Sequence, residues 1–167
     1  MFHFDSKCLA DGGVFIMLVG APSCGKTTYA SKIMSEYSDA KWVYISPDGI
    51  RKKLIKTDSK SVTSKHIFEM AYEKIKTALR DKSNIIYDAT NCNKRYRKKL
   101  MNFIRDKCDG AICLVSVSSL TDCLRRNDNY YYPVKESVIE KMYIELWNNP
   151  PDISEGYDLI ATFNVKG

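Results

Sequence analysis

The sequence lacks any long apolar run. The longest, residues 14–19, has the length of a β-strand and falls far short of the roughly 20 residues that cross a bilayer. The first residues also lack a basic segment followed by an apolar stretch, which would indicate a secretory signal. We therefore expect no membrane span and a cytoplasmic location. With 167 residues and neither internal repeats nor a linker, the chain is expected to form a single domain, residues 1–167.

The sequence is also poor in metal-binding and disulfide patterns. Its six cysteines are scattered without a Cys-x-x-Cys pair, and only two histidines could join them in a metal site. The cysteines lie in apolar or helical segments, where cysteine acts as a small buried hydrophobic residue. We expect reduced thiols, and neither a zinc site nor a disulfide framework.

Positive charge is present, and it is clustered. The formal net charge is +6 at pH 7. The larger cluster contains Lys94, Arg95, Arg97, Lys98 and Lys99, and a smaller one contains Arg51, Lys52 and Lys53. Such clusters can bind a polyanion or can form an ordinary solvated surface, and the residues alone leave both interpretations open.

Short apolar runs alternate with longer segments of helical spacing, which predicts an α/β fold with parallel strands joined by crossover helices. The five predicted strands are residues 14–19, 41–46, 84–88, 111–116 and 159–163. The predicted helices are residues 26–37, 63–80, 94–107, 120–127 and 135–147, with a further helical turn at 49–56. A polar loop is expected at residues 57–64.

A phosphate-binding motif, Gly20-x-x-x-x-Gly25-Lys26-Thr27, follows the first predicted strand and opens a predicted helix. Glycines allow backbone angles that direct successive N–H groups at phosphate oxygens, and the helix N-terminus adds its positive end. Lys26 is expected to reach the β- and γ-phosphates, and the Thr27 hydroxyl to bind Mg²⁺. The motif therefore predicts a site for ATP and Mg²⁺ formed by Gly20, Ser23, Cys24, Gly25, Lys26, Thr27 and Thr28.

Two aspartates follow strands that are expected to end at the same edge of the sheet. Phosphoryl transfer needs one group that deprotonates the attacking hydroxyl and another that helps to hold Mg²⁺, and carboxylates suit both tasks. Asp48 is the candidate for the first task, and Asp88, acting through water, for the second. Asp48 could instead cap the following helical turn, and Asp88 could be a turn residue. Arg51, one turn after Asp48, is expected to grip an anionic acceptor or to form a surface ion pair.

The order of these motifs resembles the polynucleotide 5′-hydroxyl kinase domains of phage and bacterial RNA-repair enzymes. The resemblance extends from about residue 16 to residue 147 and rests on residues 20–28, 46–51, 86–91 and 123–127. It implies a three-layer P-loop kinase fold with strand order 2-3-1-4-5 and a small lid at about residues 125–134. A phosphatase signature, Asp-x-Asp-Gly-Thr, and a ligase lysine motif are both missing.

The resemblance also implies roles for individual residues. Asp48 corresponds to the general base on the 5′-hydroxyl, Arg51 to the contact with the neighbouring phosphate, and Arg126 to the lid arginine on the transferring phosphate, for which Arg125 is the alternative. Asp88, Asn91 and Arg95 are further candidates for substrate contacts, with the basic residues after Asn91 lying along the nucleic acid. The lid tyrosines Tyr130, Tyr131 and Tyr132 could stack on a base or pack against the core.

The expected activity is therefore ATP-dependent phosphorylation of 5′-hydroxyl ends of DNA or RNA. A kinase of the same fold for a small molecule, a nucleotide or a sugar nucleotide is the first alternative. A nucleotide-binding regulator that acts through partners is the second. Dependence of ATP turnover on an added hydroxyl acceptor distinguishes the regulator from the kinases.

Overall fold

The computed structural model describes residues 3–57, 63–130 and 133–165. The strands are β1 (Val14–Val19), β2 (Trp42–Ile45), β3 (Asn84–Asp88), β4 (Gly110–Ser116) and β5 (Leu159–Phe163). The helices are α1 (Ser6–Asp11), α2 (Lys26–Glu36), α3 (Pro47–Thr57), α4 (Ser64–Arg80), α5 (Lys94–Ile104), α6 (Leu120–Asp128) and α7 (Glu136–Asn148). A short 3-10 helix covers Ile153–Glu155.

The five strands form one parallel sheet in the order β2-β3-β1-β4-β5, which confirms the predicted order. Strand β1 lies at the centre, and all of its side chains are buried. Because side chains alternate along a strand, Phe15, Met17 and Val19 pack with α4 and α5 on one face of the sheet. Val14, Ile16 and Leu18 pack with α1 and α2 on the other. The helices thus cover both faces of the sheet, as predicted.

The predicted strands 14–19, 84–88 and 159–163 are confirmed to the residue. The helix boundaries differ more, because they depend on local capping. Helix α3 begins at Pro47 and not at residue 49, since the Ser46 hydroxyl accepts the Gly49 N–H at 3.2 Å and caps the first turn. Helix α5 ends at Ile104 and not at residue 107. Helix α1 and the 3-10 helix were not predicted.

Parts of two predicted segments lie outside the described residues: 58–62 of the polar loop and 131–132 of the lid. Within the described parts of the chain, the helices are too short or too polar to span a bilayer. The five cysteines whose side chains are described are free thiols, and Cys24, Cys92, Cys113 and Cys123 are buried.

The parallel arrangement brings the carboxyl ends of β2, β3 and β1 together at one edge of the sheet. Leu18 is paired with Asp88, and Ile45 with Tyr87, so the residues that follow these three strands are neighbours. Ligands of open parallel sheets bind at this edge. The edge carries the candidate active site.

Candidate active site

The loop between β1 and α2 has the conformation that its glycines predict. Gly25 has φ of 93° and is the N-cap of α2, and no side chain caps the helix there. The first N–H groups of α2 are therefore left to bind a ligand in the loop. A Cβ atom on Gly20 would lie 2.4 Å from the Cys24 Sγ and 2.9 Å from the Ser116 Cβ. The close approach of the chain at Gly20 therefore requires a residue without a side chain.

Lys26 lies inside this loop and is 8% exposed. Its Nζ donates to the carbonyl oxygens of Gly20 and Ala21 at 2.9 and 2.7 Å, and lies 3.4 Å from the Cys24 Sγ. Its ammonium group therefore lies against the backbone that forms the cradle. The end of β4 and the residues after it also hold the loop, because the hydroxyls of Ser116 and Ser118 lie 3.2 and 3.1 Å from the Cys24 carbonyl oxygen.

Thr27 and Asp88, the two residues predicted to hold Mg²⁺, are in direct contact. The Thr27 hydroxyl donates to the Asp88 Oδ2 at 2.7 Å, and the Tyr44 hydroxyl donates to the same oxygen at 2.5 Å. Asp88 is 6% exposed, so its carboxylate depends on these two donors. Burial, followed by the hydrogen bond to Asp88 and the charge of Asp88, raises the pKa of Tyr44 to about 12. A turn residue on the surface would have none of these contacts.

Asp48 is exposed in the first turn of α3. Because Ser46 and not Asp48 caps this helix, the suggestion that Asp48 serves as the cap is wrong. Burial is the main cause that raises the pKa of Tyr87 near the end of β3, and the electrostatic effects of Tyr72 and then of Asp48 contribute less. Arg51 is exposed one helical turn further along.

Asn91, a candidate substrate contact, serves the backbone in this structure. Its φ is 50°, and its Nδ2 donates to the Leu18 carbonyl oxygen at 2.7 Å. Beside it, the Gly20 N–H donates to the Thr90 carbonyl oxygen at 2.9 Å. The segment that follows β3 is thus joined to the end of β1 through Leu18 and to the phosphate-binding loop through Gly20.

The interpretation of Arg97 as part of an exposed basic cluster is wrong. Arg97 and Glu155 are both fully buried and form an ion pair in which two Arg97 nitrogens donate to the two carboxylate oxygens at 2.8 Å. Arg97 also donates to the carbonyl oxygens of Asn91, Cys92 and Asn149. Helix α5 turns this residue towards the core, while Arg95 and its neighbours Lys94, Lys98 and Lys99 remain at or near the surface.

Arg126 lies in the last turn of α6 and is connected to the phosphate-binding loop through Ser118. It donates to the Ser118 hydroxyl at 3.2 Å and to the Val165 carbonyl oxygen, and Ser118 in turn contacts Cys24. Arg125 is exposed and pairs with Asp122 at 3.0 Å. Of the two candidate lid arginines, Arg126 is therefore the one connected to the phosphate-binding loop.

Several residues that hold this site together were not predicted from the sequence. Tyr44 is one of them, and its only sequence signal was an aromatic hydroxyl near the end of a strand. Asn127 is another: it is buried, lies 3.5 Å from the Ser23 hydroxyl, and exchanges two hydrogen bonds with the Val134 backbone. Glu155 could have been found from its position three residues after Asp152, which is the spacing of a capping box.

Comparison with known proteins agrees with this fold. A family model described as an AAA domain matches residues 15–144. No curated protein has a sequence that matches the chain. A chain of the Pnkp1/Rnl/Hen1 RNA repair complex superposes with a TM-score of 0.71 at 22% identity, over 82% of this chain and 45% of that one. This protein therefore spans less than half the length of that chain.

Two other solved structures match at nearly full length. A gluconokinase from Sinorhizobium meliloti has a TM-score of 0.59 at 13% identity and covers 95% of this chain and 85% of its own. Chaetomium thermophilum Kti12, solved in complex with ADP-AlF3, has a TM-score of 0.59 at 19% identity over 88% and 87%. At these identities the similarity establishes a P-loop kinase fold and not a substrate.

Proposed function

This chain belongs to the AAA domain family, and on that premise we propose that it is an ATP-dependent polynucleotide 5′-hydroxyl kinase formed by a single domain. The observation that carries the proposal is the environment of Asp48. Its carboxylate is not used as a helix cap, is exposed, and follows β2 at the sheet edge where the phosphate-binding loop begins. An acid in this position can receive the proton of an attacking hydroxyl.

The nucleotide half of the site is formed by the loop. The N–H groups at the start of α2 and the Lys26 ammonium group bind the β- and γ-phosphates of ATP, with Gly20, Ser23, Cys24, Gly25 and Thr28 completing the cradle. The oxygen donors of Thr27 and Asp88, which meet at 2.7 Å, are the kind that Mg²⁺ prefers. Thr27 would hold the ion directly and Asp88 through water, and the bound ion would neutralise charge on the phosphates.

The transfer itself is an in-line displacement. Asp48 accepts the proton of the 5′-hydroxyl, and the oxygen of that hydroxyl forms a bond to the γ-phosphorus. The bond between the γ-phosphorus and the bridging oxygen breaks, and ADP leaves with its electrons. Lys26 and Arg126 stabilise negative charge on the transferring group. Most of the rate enhancement then comes from positioning these groups.

A nucleic acid acceptor is supported by charge near Asp48. Arg51 follows it by one turn and can contact the phosphate next to the 5′-terminal nucleoside. Arg95 and the exposed lysines of α5 begin just after the segment that is hydrogen-bonded to the loop. The chain from the RNA repair complex adds support at the level of fold. A small-molecule acceptor, as the name of the gluconokinase suggests for that protein, is the second candidate.

A panel of acceptors tests the proposal. The protein is incubated with γ-labelled ATP, Mg²⁺ and, separately, 5′-hydroxyl DNA, 5′-hydroxyl RNA, gluconate and nucleosides. We expect label on the oligonucleotides, and Arg51→Ala should raise the oligonucleotide KM with little change in ATP affinity. Lys52→Ala, which removes a charge from the same helix, is the matched control. Label on a small acceptor alone would refute the polynucleotide assignment.

A further inference from the structure

A groove of about 850 Å³ lies between α4, α5 and α7. Apolar and aromatic side chains form most of its lining, among them Phe68, Tyr72, Leu100 and Met142. Phe68 is 42% exposed although it is an aromatic residue on a packed helix. The groove therefore offers ring faces that contact solvent in this structure.

One end of the groove reaches the candidate active site. The residues at 89–93, which follow β3, contribute to its lining, and this segment is joined to the phosphate-binding loop by the Gly20 N–H at 2.9 Å from the Thr90 carbonyl oxygen. Tyr87 also lines the groove and is paired with Ile45, three residues before Asp48. A molecule at this end of the groove would lie beside the carboxyl end of β3, next to the strand that Asp48 follows.

A smaller pocket of about 470 Å³ adjoins the groove. Asn93, Tyr96 and Lys99 line both cavities, and Arg95 lines only the smaller one. Tyr96 is 69% exposed and lines both cavities. The groove and the pocket, which together we call the channel, therefore adjoin at Tyr96.

The charges around the channel favour an anionic occupant. Lys65, Lys99 and Lys141 line the groove, and Arg95 lines the pocket. Two acids are also present, but Glu69 pairs with Lys65 at 3.9 Å, and the Glu145 carboxylate accepts from the Asn93 amide at 3.4 Å. The cations of the channel outnumber its acids, and they lie at the rim of an aromatic surface.

We propose that this channel binds the first nucleotides of a single-stranded 5′-hydroxyl nucleic acid, with bases stacked on Phe68 and Tyr96 and phosphates at Arg95 and Lys99. The inference rests on the proposed function and specifies how the acceptor is held. Stacking on aromatic side chains tolerates any base, and lysine and arginine contact the phosphates without reading sequence. A sugar acid has no aromatic base for these rings to stack on.

Binding and transfer are measured separately to test this channel. A short 5′-hydroxyl oligodeoxynucleotide labelled at its 3′ end, and the same strand with abasic sites at its first positions, are titrated against wild-type protein, Tyr96→Ala, Phe68→Ala and Trp147→Ala. Trp147 is 78% exposed on α7 and does not line the groove, so it serves as the aromatic control. Phosphorylation of the intact strand by each variant is followed in parallel.

We expect Tyr96→Ala to weaken binding of the intact strand about tenfold, and abasic sites to weaken wild-type binding by a similar factor. The two changes together should cost little more than either alone, because they remove the same stacking contact. Trp147→Ala should bind as the wild type does. Since Tyr96 is mostly exposed, its removal leaves the core intact.

The outcomes separate the two proposals. Unchanged binding by Tyr96→Ala and Phe68→Ala, or no binding by the wild type, would overturn the channel. Losses that add fully when variant and abasic strand are combined would overturn stacking on Tyr96. Binding with the expected losses but without phosphoryl transfer would support the channel and refute the kinase assignment. Phosphorylation of the intact strand by Tyr96→Ala and Phe68→Ala at the wild-type rate would support the kinase assignment and refute the channel.

Discussion

The buried ion pair of Arg97 and Glu155 allows a quantitative prediction. Arg97 makes five hydrogen bonds of 2.8 to 3.1 Å: two to Glu155, and one each to the carbonyl oxygens of Asn91, Cys92 and Asn149. Among the described residues, every buried polar side-chain atom has a hydrogen-bond partner. Arg97→Met would leave a carboxylate and three carbonyl groups without this donor.

The expected loss of stability follows from these contacts. Removing one partner of a buried pair costs about 3–5 kcal/mol, and each orphaned carbonyl adds about 1 kcal/mol or more. Arg97→Met should therefore lower the free energy of unfolding by at least about 5 kcal/mol, a large part of the total for a domain of this size. Arg97→Lys keeps the charge but cannot reproduce the planar set of donors, so it should lose an intermediate amount.

Urea unfolding followed by tryptophan fluorescence measures these losses. Arg105→Met is the matched control, because Arg105 forms a half-exposed pair with Asp158 at 2.7 Å, and exposed pairs contribute at most about 1 kcal/mol. A loss for Arg97→Met no larger than that for Arg105→Met would show that α5 is not anchored through Arg97. The segment held by Arg97 also lines the proposed acceptor channel, so Arg97→Lys should raise the oligonucleotide KM more than the ATP KM.

Three further predictions concern the phosphate-binding loop and its surroundings. Gly20→Ala should abolish ATP binding in a calorimetric titration, because the added Cβ would lie 2.4 Å from the Cys24 Sγ. Unchanged ATP affinity would mean that the loop can accommodate this methyl group and would contradict the prediction. Tyr44→Phe should lower the free energy of unfolding by about 1 kcal/mol through the lost hydrogen bond to Asp88, and an unchanged urea midpoint would contradict this. Burial raises the pKa of the Cys92 thiol to about 11, so little of it is thiolate at pH 8. Alkylation at pH 8 followed by peptide mapping should therefore leave Cys92 unmodified until the protein is unfolded. Rapid labelling of the native protein at Cys92 would contradict its burial.

The sequence predicted the sheet well because each strand is a short apolar run with clear boundaries. Strand β1 illustrates this, since six consecutive apolar residues before a glycine-rich loop suit only a buried central strand. The location of Thr27 and Asp88 at the same edge of the sheet also followed from sequence, because parallel strands bring their carboxyl ends together, although their hydrogen bond was not itself predicted. These features depend on local pattern and on topology.

Other features depend on contacts between distant residues, which a pattern does not contain. Arg97 was assigned to the surface because its neighbours are basic, but helical geometry turns it towards Glu155, 58 positions further along the chain. Capping of α3 by Asp48 was an alternative to its role as general base, and Ser46, which is equally suited by type and lies closer to the start of the helix, is the residue that caps it. The aromatic channel could not be foreseen either, because its walls come from three separate helices.

The most direct test of the account is the effect of Asp48→Asn on phosphoryl transfer, with Asp39→Asn as the control. Asp39 is an exposed aspartate that precedes β2, and so lies at the opposite edge of the sheet. ATP affinity is measured by calorimetry, and transfer to a 5′-hydroxyl oligonucleotide is measured under single-turnover conditions. We predict that Asp48→Asn binds ATP as the wild type does and loses at least about a hundredfold in transfer rate, while Asp39→Asn retains both. Transfer by Asp48→Asn at the wild-type rate would contradict both the assignment of Asp48 as general base and the proposed phosphorylation of a hydroxyl acceptor at this site.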